Sequence, residues 1–265
     1  MTEKWRELEE NCLQYLSNKY KHARFSGDGQ SDSTRPDIKV GASNAEFYIE
    51  VKSSKAQSGQ FVLIPDEINK TFIFSSKNKS EKDDYTIQII NYMDRHFEYF
   101  CKAGTKGIDL LMPEEIFAGW IKKYYKGKGV KYFITYNDVD NEYIIFPLEK
   151  FGEYFSVEGK YRVKKSGSSD IPQKDRDIVI SKVKSEGKYV DSKVDGKILY
   201  IIGDNSLEDI TYNIEGSDYI FNKICSGTFR VRKLSNTYNA NVIFNIDLKK
   251  NQSIDDLKVF EADLT

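Results

Sequence analysis

The sequence predicts a mixed α/β (α+β) protein, with strands and amphipathic helices interleaved along 265 residues. Three observations carry that prediction. Trp5, Leu8, Cys12, Tyr15 and Leu16 recur at helical spacing over residues 5–20, one apolar stripe suited to packing on a sheet. The run over 46–52, Glu-Phe-Tyr-Ile-Glu-Val-Lys, alternates instead. Phe47, Ile49 and Val51 therefore share one face of a strand, and Tyr48, Glu50 and Lys52 share the other. Further helical and alternating runs follow one another as far as residue 248.

After the first helix, the glycine and serine content of 25–33 predicts a loop. A strand over 37–40, a turn over 41–44 and the strand over 47–52 form a hairpin or neighbouring antiparallel strands. A third strand over 60–65 is expected to end at Pro65. Ile87, Ile90, Tyr92, Met93 and Phe97 predict a helix over 84–100, and a second unit begins after 105–107. Pro113 opens a helix reaching Tyr125. Strands are expected at 131–135, 143–147 and 161–165, then a loop over 167–174 and a strand over 197–202. The polar stretch 191–218 has weak periodicity, and strands over 228–232 and 241–248 close the list. No repeat of fixed period is present.

Composition narrows the function classes. Three cysteines, scattered and in no Cys-x-x-Cys pair, argue against a disulfide framework or a structural zinc site, and two histidines are poor material for a Ser-His-Asp hydrolase. No apolar run of membrane-spanning length and no signal-type start occur, so a cytoplasmic location is expected. The net charge is only −1, but basic residues cluster over 122–131 and 160–165. Such clusters suit a grip on DNA and equally suit a solvated surface.

The sharpest pattern is Pro36-Asp37, a strand-like spacer, then Glu50-Val51-Lys52. Two carboxylates and a lysine so spaced can hold a divalent metal beside a scissile phosphate. Glu-x-Lys occurs three times, at Glu50, Glu158 and Glu186, but the latter two are Glu-Gly-Lys, which suits a turn. The exposed face of an ordinary strand would give the same pattern, and residues alone leave both readings open.

Longer stretches join this triad: Gly59-Gln-Phe-Val-Leu-Ile-Pro65, Lys77-Asn-Lys-Ser-Glu81, Trp120-Ile-Lys-Lys-Tyr-Tyr-Lys126, Val163-Lys-Lys-Ser-Gly-Ser168 and Leu234-Ser-Asn-Thr-Tyr-Asn-Ala-Asn-Val-Ile-Phe244. Together they resemble the type II restriction endonucleases of the PD-(D/E)xK superfamily, over nearly the whole chain apart from 173–227. The resemblance implies a nuclease core, a central mixed β-sheet flanked by helices, with additional small mixed-sheet domains. It implies Mg2+-dependent cleavage of double-stranded DNA at a short palindrome, GCGC, by a monomer using one or two Mg2+ ions. A companion DNA methyltransferase in a bacterial host, in no stable complex, goes with such an enzyme. A structure-selective or modification-dependent nuclease of the same fold, or an inactive DNA-binding module, are the alternatives.

The expected division is a catalytic domain over 1–108, a sequence-recognition domain from 109–172 with 229–265, and an accessory DNA-binding insert over 173–228. The resemblance implies Asp37, Glu50 and the Val51 carbonyl as metal ligands and Lys52 beside the attacking water. Glu9 resembles the helical glutamate that completes many such sites, though a plain surface acid would read alike. Gln60 suits a hydrogen bond to phosphate or lysine. Base readout is expected from Arg162, Lys164, Lys165, Ser166 and Ser168, and from Arg232, Asn236, Asn239 and Asn241. Backbone contacts are expected from Ser31, Ser33, Lys122, Lys123, Lys126 and Lys128.

Overall fold

The computed structural model describes residues 4–28, 35–42, 46–165, 168–208, 210–235 and 238–265, with backbone alone at Lys4, Lys164, Lys165 and Tyr238. The chain forms two compact units, Met1–Arg162 with Ala240–Thr265, and Val163–Asn239.

The first unit opens with α1 (Lys4–Lys19), β1 (Arg24–Gly27), β2 (Ile38–Gly41) and β3 (Glu46–Val51). Next come β4 (Lys55–Asp66), β5 (Thr71–Phe74), α2 (Asp84–Arg95), α3 (Phe97–Phe100) and β6 (Ile108–Asp109). Then follow α4 (Glu114–Gly127), β7 (Val130–Asn137), β8 (Glu142–Pro147), α5 (Phe151–Tyr154) and β9 (Phe155–Lys165). The second unit contains β10 (Ser168–Asp170), α6 (Arg176–Ser185), β11 (Tyr189–Asp195), β12 (Ile198–Gly203), β13 (Thr211–Ile214), β14 (Ser217–Cys225) and β15 (Thr228–Leu234). The chain returns along β16 (Tyr238–Leu248) and ends in α7 (Ile254–Asp263).

In the first unit one sheet has the order β1-β2-β3-β7-β8, antiparallel except for the parallel β3–β7 pair. Its alternation works as expected on one face: Phe47, Ile49 and Val51 pack with Cys12 and Leu16 of α1 and with Phe260 and Leu264 at the C-terminal end. The opposite face is covered too, by aromatic contacts of Phe133 with Tyr125 of α4 and Phe151 of α5. A second sheet has the order β5-β4-β16-β9-β6. Phe61, Trp120 and Phe244 cluster between that sheet and α4.

The second unit is an antiparallel sheet, β11-β12-β15-β14-β13 with β10 on β15. Its own core gathers Val179 and Val183 of α6 with Leu199, Ile201, Phe221, Phe229 and Val231. These units do not follow the three expected segments. The β3–β7 pairing draws 130–162 into the first unit, and the β15 ladders hold 228–234 in the second.

Several local expectations are corrected. Residues 24–27 form β1, paired with β2, where a loop was expected from 25. Pro65 does not end its strand: it sits opposite Phe72 near the end of the β4–β5 hairpin, where a missing N–H is tolerated. The 84–100 helix breaks at His96, whose φ of −119° leaves helical geometry. Within 167–174, residues 168–170 pair with β15. Among the described residues no helix is long and apolar enough to cross a membrane.

β4 carries a β-bulge. Gln60 is opposite Ile243 and Gln57 opposite Asn245, so Ser58 and Gly59 together face the single residue Phe244. Gly59 has φ +148°, and a Cβ there would lie 2.6 Å from Cζ3 of Trp120. The indole is fully buried and donates to Thr86 Oγ1 at 3.2 Å, so it has little room to retreat. Gly59→Ala is expected to destabilise the protein by about 2 kcal/mol or more, read as a lowered Tm. An unchanged Tm would mean that the indole yields.

Candidate active site

The antiparallel register of β2 and β3 explains the spacing of the two acids. Ile38 pairs with Ile49, so Asp37, one residue before, lies level with Glu50, one residue after. Asp37 Oδ2 accepts a 2.8 Å hydrogen bond from the Val51 N–H, which fixes its carboxylate against β3. Lys52 leaves the strand end with its N–H donating to the Ile134 carbonyl at 3.0 Å. Its ammonium turns back to Glu50 Oε1 at 2.5 Å.

Glu50 is only 4% exposed, and its Oε2 has no partner among the described residues. The strand pattern places Glu50 on the face of Lys52 but does not reveal that α4 buries both. Tyr125 does this: its ring centroid is 5.4 Å from Lys52 Nζ, and the side chain is 4% exposed. Burial alone would lower the pKa of Lys52, but Glu50, with Tyr125 and Asp37, overrides it and holds the ammonium well above its ordinary pKa. The Tyr125 phenol is raised, first by burial and then by the charge of Glu50.

Glu9 of α1 reaches the same place. Its carboxyl hydrogen-bonds Asp37, and burial, followed by the charge of Asp37, pushes it up to about 7. Asp37 is pushed up to about 6 by burial and then by Glu50, with Lys52 opposing. Three carboxyls are thus crowded beside one ammonium, and Glu9 and Asp37 keep protons where isolated acids would lose them.

These groups open on a cleft of about 610 Å³, lined by Glu9, Asp37, Glu50, Lys52, Gln57, Gln60, Lys77, Lys79 and Lys128, among others. Lys128 stands over two rings, 4.4 Å from the centroid of Tyr124 and 5.0 Å from that of Tyr125. A second groove of about 510 Å³ adjoins it and shares Lys79, Tyr124 and Lys128, adding Lys123 and Lys126, with Glu81 and Asp83 as its acids. Lys126 is paired with Glu149 at 3.2 Å. Lys122 is half-buried on α4 and lines neither cavity.

Thus Glu9, Asp37, Glu50, Lys52 and Gln60 converge, as does Lys128. Arg162 belongs with them: its Nη2 donates to Gln57 Oε1 at 3.2 Å inside the first unit. Asn241 is 3% exposed within β16, opposite Val62, with its Oδ1 unpartnered among the described residues. Its strand lies between β4 and β9 in the sheet, and its side chain is closed to solvent. In the second unit Arg232 Nη2 donates to the Ser168 carbonyl at 2.7 Å, across the β10–β15 ladder. Asn239 is half-buried there. Ser31, Ser33, Ser166 and Asn236, and the side chains of Lys164 and Lys165, lie outside the described residues. Residues not anticipated are Tyr125, Gln57, Lys77 and Lys79. Tyr125 and the two lysines fall in stretches already singled out by resemblance, but nothing in those strings says that they meet Lys52.

The chain is similar to the HhaI endonuclease as solved in complex with DNA, with 40% sequence identity, coverage of 98% of both chains and a TM-score of 0.73. No family model matches the chain, and no curated protein does.

Proposed function

This chain belongs to the HhaI-like type II restriction endonucleases, and on that premise we propose that it cuts duplex DNA at a short palindrome, GCGC, using Mg2+ at the Asp37–Glu50 cleft. It is a site-specific deoxyribonuclease. The observation that supports this cleft most directly is the crowding of Glu9, Asp37 and Glu50 around Lys52, with Glu50 Oε2 lacking a partner among the described residues. Such an arrangement has negative charge to spare for a cation.

The donor set fits Mg2+. Among the described residues no three His, Cys, Asp or Glu side chains are grouped so as to hold a metal ion between them. Mg2+ does not need such a group, since it keeps several waters and takes one or two carboxylates. Asp37, Glu50 and the Val51 carbonyl would hold it, with Glu9 on a second ion or an outer water. When bound, it supplies charge neutralisation at the phosphate and polarises the attacking water.

The chain's own groups do the rest. Water oxygen bonds to phosphorus as the bond to the 3′ oxygen breaks, leaving a 3′ hydroxyl and a 5′ phosphate. Lys52, kept protonated by Glu50, faces the charge that grows on the phosphoryl oxygens. Gln60 donates an amide N–H to a non-bridging oxygen. Tyr125 covers one side of the ammonium, which lowers the local dielectric and strengthens its field.

Sequence reading falls to the second unit, through Lys164, Lys165, Ser166, Ser168, Arg232, Asn236 and Asn239, with lysine and arginine suited to guanine O6/N7 and asparagine to cytosine N4. Asn241 is left out of this set because it is buried. Lys123, Lys126 and Lys128 line cavities suited to backbone phosphates. Lys123→Ala is expected to weaken binding of all duplexes alike and to reduce the slope of log K against log salt by about one. An unchanged slope removes that contact. We place the enzyme in a bacterial cytoplasm, as a monomer whose host carries a matching DNA methyltransferase.

Plasmid DNA incubated with the protein and Mg2+ should give discrete bands whose sequenced ends share one palindrome. A smear, branch-selective cutting or no cutting under any divalent metal would replace this reading with a structure-selective nuclease or a binding module.

A further inference from the structure

We infer that Gln57 is a positioning residue that holds the Gln60 amide with its N–H groups toward the scissile phosphate, and that Arg162 sets the direction of this arrangement. The inference rests on the endonuclease reading above and adds two residues to it.

In a regular strand, residues three apart point to opposite faces. Gln57 and Gln60 do not, because Ser58 and Gly59 occupy one ladder position between them. Burial follows the same shift: Ser58 is 1% exposed and Phe61 1%, while both glutamines are exposed toward the cleft. Bulges recur beside active sites, where they re-aim a side chain. Here the bulge is held open by Gly59, whose backbone a residue with a Cβ would adopt only by displacing Trp120.

The re-aimed pair is wired in one direction. Arg162 Nη2 donates to Gln57 Oε1 at 3.2 Å, and Gln57 Nε2 donates to Gln60 Oε1 at 3.1 Å. An arginine can only donate, so it forces the Gln57 oxygen toward itself and the Gln57 nitrogen toward Gln60. Gln60 must then accept on its oxygen, and its Nε2 remains to serve the cleft. No hydrogen bond to that nitrogen is present among the described residues. The two ends of an amide have nearly the same shape. Before a phosphate arrives, a free Gln60 would turn either end to the cleft about equally, and the relay sets the N–H groups in place in advance.

The test measures steady-state and single-turnover cleavage of a cognate duplex by wild type, Gln57→Leu, Gln57→Glu, Gln60→Leu and the Gln57→Leu/Gln60→Leu pair, after confirming matched Tm values. Gln57→Glu is the discriminating variant: it keeps the shape and strengthens the Arg162 contact, but cannot donate, so Gln60 must turn its nitrogen away from the cleft. Each single variant should lower kcat about tenfold with KM nearly unchanged, the effect of one lost hydrogen bond to a charged group. The double variant should be no worse than Gln60→Leu. Replacing a non-bridging scissile oxygen with sulfur should slow wild type more than the Gln57 variants. Wild-type kcat in Gln57→Glu, or a double variant whose loss is the product of the singles, overturns the relay. A wild type that cuts no duplex overturns the endonuclease reading instead, with every variant equally inert.

Discussion

Asp37→Asn is expected to lower cleavage by a thousandfold or more and, at the same time, to raise the Tm of the metal-free protein. The first effect follows from the position of the carboxylate, level with Glu50 across the β2–β3 ladder, where on the proposed reading it would be one of two charged oxygen donors for the cation. The amide removes the charge but keeps an oxygen to accept the Val51 N–H, so the strand contact at 2.8 Å survives. The second effect follows from the same crowding. Asp37 is held up to about 6 by burial and by Glu50, so at neutral pH the folded state carries a charge it disfavours. Removing that charge should return about 2–3 kcal/mol to the folded state above pH 7 and nothing below pH 4. DNA binding in Ca2+-free buffer should change by only a few-fold. A variant that cuts near the wild-type rate removes Asp37 from the site. One that unfolds more easily contradicts the crowding.

The second large effect is a reversal of pH dependence by a divalent cation. Asp37 keeps its proton to about 6 and Glu9 to about 7 in the folded chain, against ordinary values of 3.8 and 4.5. Between roughly pH 4 and 7 the folded state therefore binds more protons than the unfolded one. With EDTA present, stability should be highest at the acid end of that window and fall as pH rises through it. The fall should reach about 2–3 kcal/mol for Asp37, with less from Glu9, which is more open to solvent. A cation at these carboxyls needs them deprotonated, so its apparent affinity should climb over the same range and protons should be released on binding. Melting curves across the window, with EDTA and with saturating Ca2+, separate the cases. Stability that rises with pH in EDTA, or a cation effect independent of pH, would refute the shared site.

How much of this was legible in the sequence depends on the range of the contact involved. The stripe of α1 and the alternation of β3 are local, and they are found where the periodicity puts them. The co-facing of Glu50 and Lys52 follows from a period of two alone. Elements with weak or short signals escaped. β1 and β5 have four residues each and no clear alternation. α6 has few apolar anchors, and α7 starts from Ser253 with Asp255 and Asp256 in its first turn but buries little beyond Phe260 and Leu264. Acids near a helix N-terminus were the available sign, and in an acid-rich tail they read as solvation.

Other features were beyond any local reading. Asn241 looks polar enough for an exposed role, and it is buried within the internal strand β16 of its sheet. The bulge in β4 depends on Gly59, which by itself only suggests a break, and on Trp120, which arrives from α4. The boundary between units follows strand pairing across long stretches of chain, and composition does not mark it.

By itself, then, the sequence determined that an acid, a second acid and a lysine lie on two neighbouring strands, because strand alternation and hairpin spacing are properties of adjacent residues. Only the tertiary structure decided that this triad is a desolvated, charge-crowded site, because burial requires partners from elsewhere: Tyr125 from α4, Glu9 from α1, and the re-aimed Gln57 anchored by Arg162 of β9. The charge states of Asp37, Glu9 and Lys52 respond to that enclosure, and no period in the chain encodes it.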